Sequence, residues 1–297
     1  MIEVKNVVKI FDGYRALDEL SITVPNGAIY GLVGPNGAGK STIIRHLAGI
    51  YRQDAGEILI DGQPVFENPA VKSRVAYIPD DIFYFVQSGI KDMMRFYRGI
   101  YPNFDMDRYD KLRSVFNLDE KRPMRRLSRG MQKQAAFWLA LSARPDYLIL
   151  DEPVDGLDPV MRRQIWSLIL SDVEENGTTV LVSSHNLREL EDVCDHVGII
   201  HKGRTMIEHA LADLQDNIVK VQLVYQDGGS VPEGLNVLHE SRTGRISTLI
   251  IRGKAEEVTR AIEATQPLLC DIVPLTLEEI FIYELGGAEY AVKDIFI

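Results

Sequence analysis

The residues best suited to chemistry form a short glycine-rich segment. Its fixed positions match the pattern G-x-x-x-x-G-K-[ST], which begins at Gly34 and closes with Lys40 and Ser41. Glycines let successive backbone N–H groups converge on phosphate oxygens, and a following helix directs its positive N-terminus toward them. Lys40 would neutralise phosphate charge, and the Ser41 hydroxyl would ligate Mg²⁺. The candidate phosphate-binding residues are Gly34, Pro35, Asn36, Gly37, Ala38, Gly39, Lys40, Ser41 and Thr42.

The flanks of this loop fit such a mechanism. The almost wholly apolar residues 28–33 precede it and have the length and composition of a strand buried on both faces of a parallel sheet. A helical pattern over residues 42–50 follows. A plain glycine-rich turn between a strand and a helix is the alternative, but the complete motif in this context favours a phosphate site.

Two adjacent acids follow a second apolar run. Residues 147–150 are typical of a buried strand, and Asp151 and Glu152 come directly after it, where the ligands of open α/β sheets collect. Neighbouring residues on a strand point to opposite faces, so the two carboxylates cannot do the same work. We expect Asp151 to help hold Mg²⁺ and Glu152 to accept a proton from an attacking water. A strand that simply ends in solvated acids is the alternative.

A histidine ends the next apolar run in the same way. Residues 179–182 are followed by Ser183-Ser184-His185, so His185 would lie at the end of a neighbouring strand. There its imidazole could contact the terminal phosphate of a bound nucleotide. A histidine at such a position is more often a capping or surface group, and that alternative stays open. The candidate catalytic residues are therefore Glu152, His185 and Lys40.

The elements that must position these residues indicate an α/β fold with the core of a P-loop NTPase. Short buried strands alternating with helical segments predict a mostly parallel sheet flanked by helices. An alternating first strand and a second strand at residues 16–24 predict an N-terminal antiparallel β subdomain. In the first strand, alternation places Ile2, Val4 and Asn6 on one face and Glu3, Lys5 and Val7 on the other.

Two further regions differ from this core. Residues 81–143 show helical periodicity and many aromatic residues without a good strand, which predicts an inserted helical subdomain. From residue 211, an alternating segment at 219–225, a glycine turn, a strand at 245–252 and helical spacing after Val258 predict a small α/β unit. We therefore expect one domain at residues 1–210 and a C-terminal accessory domain at 211–297.

Composition limits the classes of partner. The 297 residues carry a formal net charge of −10, which disfavours general nucleic-acid binding because phosphate backbones are bound by clustered Lys and Arg. The basic residues within 121–129 fit a solvated loop and helix start better than a lipid or nucleic-acid site. Cys194 and Cys270 lie in unrelated contexts, as in a reducing compartment. No apolar run is long enough to cross a bilayer and no signal peptide is evident, so we expect a cytoplasmic protein.

A family resemblance enters with the segment Leu127-Ser128-Arg129-Gly130-Met131, which resembles the ABC signature Leu-Ser-Gly-Gly-Gln. The order of phosphate loop, signature, acid pair, Gly156-Leu157-Asp158 and His185 is that of an ABC ATPase domain, over about residues 1–210. The resemblance implies ATP and Mg²⁺ as ligands. It also implies a head-to-tail homodimer, or a heterodimer with a second ABC ATPase subunit, in which each ATP lies between two subunits.

The resemblance assigns further site residues. Each ATP would contact the phosphate loop of one subunit and Ser128 and Gly130 of the other, which is reasonable because a helix N-terminus is an anion site. Asp158 would cross the dimer interface. Phe11 stands where the family places an aromatic that stacks on adenine, with Tyr14 and plain strand packing of Phe11 as alternatives.

The chain departs from the family pattern at four positions. Arg129 replaces the first signature glycine, Met131 replaces its glutamine, and Val154 replaces a common threonine. The glutamine that usually follows the segment 75–79 is Asp80. Asp can accept hydrogen bonds and reach Mg²⁺ through water, but it donates none and is one methylene shorter. Asp80 therefore joins Ser41 and Asp151 as a candidate metal residue, while the usual linkage to the helical subdomain is in doubt.

The changed signature, Asp80 and the aromatic stretch 83–104 resemble ATPases of ABC-2 type exporters, in particular the group containing the Ytr and phenol-soluble-modulin exporter ATPases. The segment 275–281 also resembles an exporter tail. This implies an ATPase that drives transport, with export as the expected direction, through a separate multi-span membrane permease from the inner face of the cell membrane. A soluble ABC ATPase acting on ribosomes or DNA is the alternative. A module that holds ATP without hydrolysing it is disfavoured by Glu152.

Seven aromatic residues of the predicted helical subdomain have two possible roles. They could line a groove that receives a permease helix, or they could form the core of the subdomain. For any single residue the core is the better expectation. These residues are Phe83, Tyr84, Phe85, Phe96, Tyr97, Tyr101 and Phe104.

Overall fold

The computed structural model describes residues 1–211, 213, 218–225, 232, 234–276, 278–279 and 283. The chain divides into two units. One contains Met1–Asn186 and Val193–Glu208, and the other contains Leu187–Asp192 and His209–Ile297. Across the described residues, no helix combines the length and the apolar character that crossing a membrane requires.

Strands and helices alternate through the first 210 residues. The strands are β1 (Ile2–Phe11), β2 (Tyr14–Val24), β3 (Ile29–Val33), β4 (Ala55–Ile60), β5 (Gln63–Pro64), β6 (Val75–Ile78), β7 (Tyr147–Asp151), β8 (Thr179–Ser184), β9 (His196–His201) and β10 (Arg204–Ala210). The helices are α1 (Lys40–Leu47), α2 (Pro69–Lys72), α3 (Ile90–Ile100), α4 (Met106–Phe116), α5 (Arg129–Ser142) and α6 (Pro159–Asn176). Helix α1 begins and ends earlier than the periodicity predicts, because Gly39 precedes it and Gly49, at φ 67°, follows it in a left-handed conformation.

The predicted N-terminal antiparallel subdomain is a four-stranded sheet in the order β2-β1-β4-β5. The expected faces of β1 are wrong beyond Val4. The backbone at Asn6 has φ 48° and the register with β2 shifts between Val4 and Val7. This bulge advances the alternation by one residue, so Val7 is buried on the core side with Ile2 and Val4, and Asn6 is exposed.

The predicted mostly parallel sheet is confirmed as a six-stranded sheet in the order β10-β9-β3-β8-β7-β6. Strand β3 pairs in parallel with β8 and β9, and β7 pairs in parallel with β6 and β8. All residues of β3 and β7 are buried, because helices of the α/β layer cover both faces of the sheet. The shared core of this unit includes Leu32, Ile43, Ile149 and Leu181.

Residues 81–143 contain three helices, α3, α4 and α5, as the periodicity predicts. Their core is a stack of aromatic rings. Tyr109 and Trp138 stack with ring centroids 4.7 Å apart, and Phe116 lies 6.3 Å from Trp138. The Trp138 indole donates a hydrogen bond to the backbone carbonyl of Tyr109 at 2.8 Å, so this large side chain is buried without losing its polar partner.

The described residues of the second unit include an antiparallel sheet and a helix of nine residues. The strands are β11 (Ile218–Val224), β12 (Asn236–Thr243), β13 (Ile246–Arg252) and β14 (Leu269–Val273), in the order β12-β13-β11-β14, and the helix is α7 (Ala255–Glu263). Val221, Leu223, Leu249, Val258 and Ile262 form its core. The predicted exporter-like tail lies partly outside the described residues, at Leu277, Ile280 and Phe281.

Candidate functional site

The strand order brings the candidate residues together at the carboxyl ends of three neighbouring strands of the parallel sheet. Strand β8 lies between β3 and β7, with Val33 beside Ser184 and Asp151 beside Ser183. The phosphate loop after β3, the acid pair after β7 and the histidine after β8 therefore lie at adjacent carboxyl ends. Sequence spacing alone could not give this order, because β8 follows β7 in the chain but pairs between β7 and β3.

The phosphate loop has a backbone that requires glycine. A Cβ on Gly34 would lie 2.3 Å from the Ile200 carbonyl oxygen, and Gly39 has φ 110° immediately before α1. The Lys40 ammonium is almost fully buried and donates to the carbonyls of Gly34 at 2.6 Å and Pro35 at 3.3 Å. The loop thus closes around the ammonium that the motif assigns to phosphate.

Asp151 is buried beside two hydroxyl groups. Ser41 Oγ donates to Asp151 Oδ1 at 3.1 Å, and Ser183 Oγ donates to the same oxygen at 2.8 Å. Burial, together with the nearby Asp151 carboxylate, raises the pKa of Tyr77 to about 12. A carboxylate next to a hydroxyl is an oxygen donor set of the kind that Mg²⁺ prefers, so the residues present fit this cation. The predicted meeting of Ser41 and Asp151 is observed.

Glu152 contacts both other candidate catalytic residues. Its Oε1 lies 3.4 Å from Lys40 Nζ, and its Oε2 lies 3.0 Å from His185 Nδ1. The side chain is half-buried, and its backbone adopts φ 46°, a left-handed conformation that non-glycine residues rarely take. One carboxylate oxygen of Glu152, one carboxylate oxygen of Asp155 and one ring nitrogen of His185 lie within 4.8 Å of one another. A carboxylate, an imidazole and an ammonium thus converge on one point.

Asp80 is bound by two cations. Arg129 Nη2 donates to its two oxygens at 2.9 and 2.8 Å, and Lys133 Nζ lies 3.2 Å from Oδ1. Asp80 also lines one cavity with Ser41 and Asp151, so it faces the same space as the candidate metal residues. The expectation that Asp80 reaches Mg²⁺ through water stays a prediction. Two of the departures from the family pattern, Asp80 and Arg129, form an ion pair with each other.

The signature segment begins α5. Ser128 is the N-cap residue, and its hydroxyl accepts a hydrogen bond from the Met131 backbone at 3.3 Å while the side chain remains exposed. A Cβ on Gly130 would lie 3.0 Å from the Gly156 carbonyl oxygen, so glycine allows the helix start to approach that loop. Asp158 caps α6 by accepting hydrogen bonds from the two residues that follow Pro159. The contacts of these residues with a second subunit stay predictions.

The aromatic candidates for adenine lie at the tip of the β1–β2 hairpin. Phe11 pairs with Tyr14 across the turn, and both side chains are exposed. Phe11 also makes an edge-to-face contact with Tyr51, with ring centroids 5.5 Å apart, and Lys9 Nζ lies 5.4 Å from its ring. Phe11 is therefore not simply packed into the core, and Tyr51 is a neighbour that the sequence interpretation did not include.

The seven aromatic residues of the helical region differ in their exposure. All are exposed or partly exposed, and Phe83 retains 65% of its accessible surface. Phe85 contacts Phe83 and Phe96 edge to face, with centroids 5.5 and 4.9 Å apart. Members of the group line a cavity of about 570 Å³ together with Ser41 and Asp151. The preferred expectation of a core role is wrong for the exposed Phe83, Phe85 and Phe96. It stays a prediction for the four partly buried members, of which Phe104 has its ring centroid 6.1 Å from that of the core residue Tyr109.

Two residues of the site were missed from the sequence. Ser183 accepts a hydrogen bond from the Glu152 backbone at 3.1 Å as well as contacting Asp151. Its position two residues before His185, at the same strand end, was an available signal. Lys133 is fully buried and donates to the Glu152 carbonyl at 2.7 Å. No local pattern indicates this, because lysines on a helix are usually exposed.

Comparison with known proteins agrees with this geometry. A family model described as ABC transporter matches residues 17–155. The ABC transporter ATP-binding protein YtrB of Bacillus subtilis is 32% identical over 288 residues, which cover 97% of this chain and 99% of YtrB. The chain belongs to the ABC transporter ATP-binding proteins. The resemblance to this family and to its Ytr group is confirmed.

Another relative and a solved structure extend the comparison to a transport protein and to a dimeric cassette. The bacitracin transport ATP-binding protein BcrA of Bacillus licheniformis is 33% identical over 211 residues, covering 70% of this chain and 69% of BcrA. A dimeric bacterial ABC transporter cassette has the same fold, with a TM-score of 0.63 and 21% identity over 71% of this chain and 99% of the cassette. The protein is an ATPase subunit of a transporter, and these relatives do not support the ribosome or DNA alternative.

Proposed function

We propose that this ABC ATPase hydrolyses Mg²⁺-ATP with Glu152 as general base. The observation that carries the proposal is that the Glu152 carboxylate contacts two groups at the carboxyl ends of the parallel strands. Its oxygens lie 3.4 Å from the Lys40 ammonium and 3.0 Å from the His185 imidazole. Ser41 and Asp151 lie beside them with an oxygen donor set for Mg²⁺. A general base must lie within hydrogen-bond reach of the proton that it removes, and the Glu152 side chain keeps 14% of its surface accessible to water.

Each residue has a separate task in the proposed reaction. The backbone N–H groups of residues 34–42 other than Pro35 bind the phosphates, and Lys40 neutralises their charge, which leaves Glu152 free to accept the proton of the attacking water. His185 orients the Glu152 carboxylate and contacts the terminal phosphate. Ser41 and Asp151 would hold Mg²⁺, which supplies charge neutralisation at the phosphate oxygens. Phe11, with Tyr51 at its edge, stacks on the adenine.

We propose further that two subunits close around two ATP molecules, as homodimer or heterodimer. Ser128 is exposed at the start of α5, where backbone N–H groups and the helix dipole favour an anion. Val160, two residues after the Asp158 cap, keeps 74% of its surface accessible and is therefore available for contact with a second subunit. The dimeric cassette of the same fold supports this arrangement.

We also propose that the exposed aromatic residues Phe83, Phe85 and Phe96 bind a multi-span membrane permease. Closure of the two ATPase subunits around ATP then drives export of the permease's cargo from the cytoplasmic face of the membrane. Phe83 and Phe96 line the cavity that Asp80 and Asp151 also line, and Phe85 contacts both of these rings, so the proposed docking surface adjoins the proposed nucleotide site. In this scheme residues 1–210 are the ATPase domain and residues 211–297 an accessory domain.

Sedimentation of the purified chain with ATP tests the composite site. The Glu152→Gln variant should form a dimer with Mg²⁺-ATP and return to monomer without it, because ATP is bound and not hydrolysed. The double variant Ser128→Arg/Glu152→Gln should remain monomeric, while the control Ser114→Arg/Glu152→Gln, changed at an exposed serine of α4, should dimerise. A normal ATP-bound dimer in the Ser128→Arg variant contradicts the proposed contact between subunits.

A further inference from the structure

Lys133 is the most unusual charged residue near the site. It lies on α5 with no accessible surface, and a buried ammonium is unfavourable unless it is paired and hydrogen-bonded. Its Nζ donates to the Glu152 backbone carbonyl at 2.7 Å and lies 3.2 Å from Asp80 Oδ1. The buried charge is therefore held between the acid that follows β6 and the acid that follows β7.

The backbone of Glu152 is fixed from both sides by side chains. Its N–H donates to Ser183 Oγ at 3.1 Å, and its carbonyl accepts from Lys133. The left-handed backbone at φ 46° is costly for a residue with a side chain, and it persists only where the surroundings hold it. The direction of the Glu152 carboxylate depends on this backbone, so Lys133 helps to set it.

Arg129 completes the network from the same helix face. It lies one turn before Lys133 on α5, and its Nη2 binds both oxygens of Asp80. An aspartate accepts hydrogen bonds without donating any, which suits a position between two cations. Because Arg129 is 61% exposed and Lys133 is buried, the network joins the surface of the signature segment to the backbone of Glu152.

We propose that Lys133 is a positioning residue for Glu152, and that Asp80 and Arg129 hold its ammonium in place. The inference rests on the proposed role of Glu152 as general base. It links the start of α5 to the hydrolytic carboxylate through the chain Arg129, Asp80, Lys133 and Glu152. A shift of α5 relative to β7 then changes the direction of the carboxylate.

Steady-state ATP hydrolysis by the full chain tests the role of Lys133. Lys133→Met keeps the length of the side chain and removes its ammonium. It should lower kcat by up to about 10²-fold, because small misplacements of a reacting group are costly. KM for ATP should stay within about twofold, since the phosphate loop is unchanged. Lys111→Met, at an exposed lysine of α4, is the matched control and should behave as wild type. A folded Lys133→Met with wild-type kcat overturns the proposal.

A nucleotide-free readout separates positioning from general damage. Hydrogen exchange across residues 148–156 should accelerate in Lys133→Met, while exchange in the β1–β2 hairpin should match wild type. Slow exchange at residues 148–156 in both proteins contradicts the proposal.

Asp80→Asn gives a second test that does not depend on a buried substitution. It should lower kcat less than Lys133→Met and leave the Mg²⁺ concentration for half-maximal rate unchanged. A raised Mg²⁺ requirement places Asp80 at the metal and removes it from the network. Glu152→Gln is measured alongside: normal turnover there refutes the general base itself, whereas loss there with a normal Lys133→Met refutes only the positioning role.

Discussion

The phosphate loop and the start of α5 hold their charged groups in different ways. At the loop, backbone geometry dominates: Gly34 and Gly39 occupy conformations or spaces closed to other residues, and Lys40 binds main-chain carbonyls. At the start of α5, long side chains dominate, with Arg129 and Lys133 sharing the Asp80 carboxylate. The loop keeps every fixed position of its motif, whereas the signature region departs from the family pattern.

The difference shows where substitution can be compensated. A side chain added at Gly34 meets a carbonyl oxygen that cannot move aside, so no second substitution restores the space. An arginine in place of a signature glycine instead meets an aspartate in place of the usual glutamine, and the two form an ion pair. The substitutions at positions 80 and 129 therefore form one paired change, and the role of either residue is interpreted together with the other.

Of the two regions, the loop should show the larger effect on turnover, through the Lys40 ammonium. Lys40→Met removes the charge that the proposed mechanism places on the phosphates, and we expect kcat for ATP to fall by about 10²- to 10³-fold. Arg129→Met removes a cation from the other region and should reduce kcat much less. Phosphate release measures kcat in both variants. Equal decreases in kcat would contradict the proposed difference between the two regions.

A smaller effect on stability should follow from crowding the loop. In Gly34→Ala the new Cβ would lie 2.3 Å from the Ile200 carbonyl oxygen, and we expect the free energy of unfolding to drop by about 1–3 kcal/mol. Gly99→Ala, on α3 with nothing within 4 Å of the new Cβ, is the control and should raise stability by up to about 1 kcal/mol. Urea unfolding measures both. Unchanged stability in Gly34→Ala would show that the loop can relax.

The smallest effect concerns the exposed ion pair. Arg129 and Asp80 retain 61% and 41% of their side-chain surface, so Arg129→Ala should lower the free energy of unfolding by less than about 1 kcal/mol. The difference from wild type should shrink further in 1 M NaCl, where the Debye length is about 3 Å. A loss that is larger, or independent of salt in urea titrations, would show that the region is as rigidly determined as the loop.

The sequence predicts what depends on short-range patterns. The motif from Gly34 to Ser41, the acid pair after β7 and the parallel sheet follow from spacing and periodicity, and the fold is as expected. The bulge at Asn6 escaped prediction because nothing in an alternating strand marks an extra residue. Lys133 escaped because its burial depends on Asp80 and Glu152, which lie far away in the chain.

The aromatic stretch illustrates the same limit. Periodicity identifies helices in residues 81–143, but it does not tell which aromatic rings face inward. Tyr109 and Trp138 stack in the core, while Phe83 and Phe96 remain exposed and line the cavity. That choice is made by packing between helices, and only the assembled structure shows it.

Turnover of ATP by Glu152→Gln tests the central claim most directly. Gln keeps the size of the side chain and removes the base, so the account predicts a fall of about 10²- to 10⁴-fold in the single-turnover rate with ATP binding preserved. Asp119→Asn, at an exposed acid between α4 and α5, is the control and should hydrolyse ATP as wild type does. A wild-type single-turnover rate in Glu152→Gln would contradict the assignment of this carboxylate as the general base.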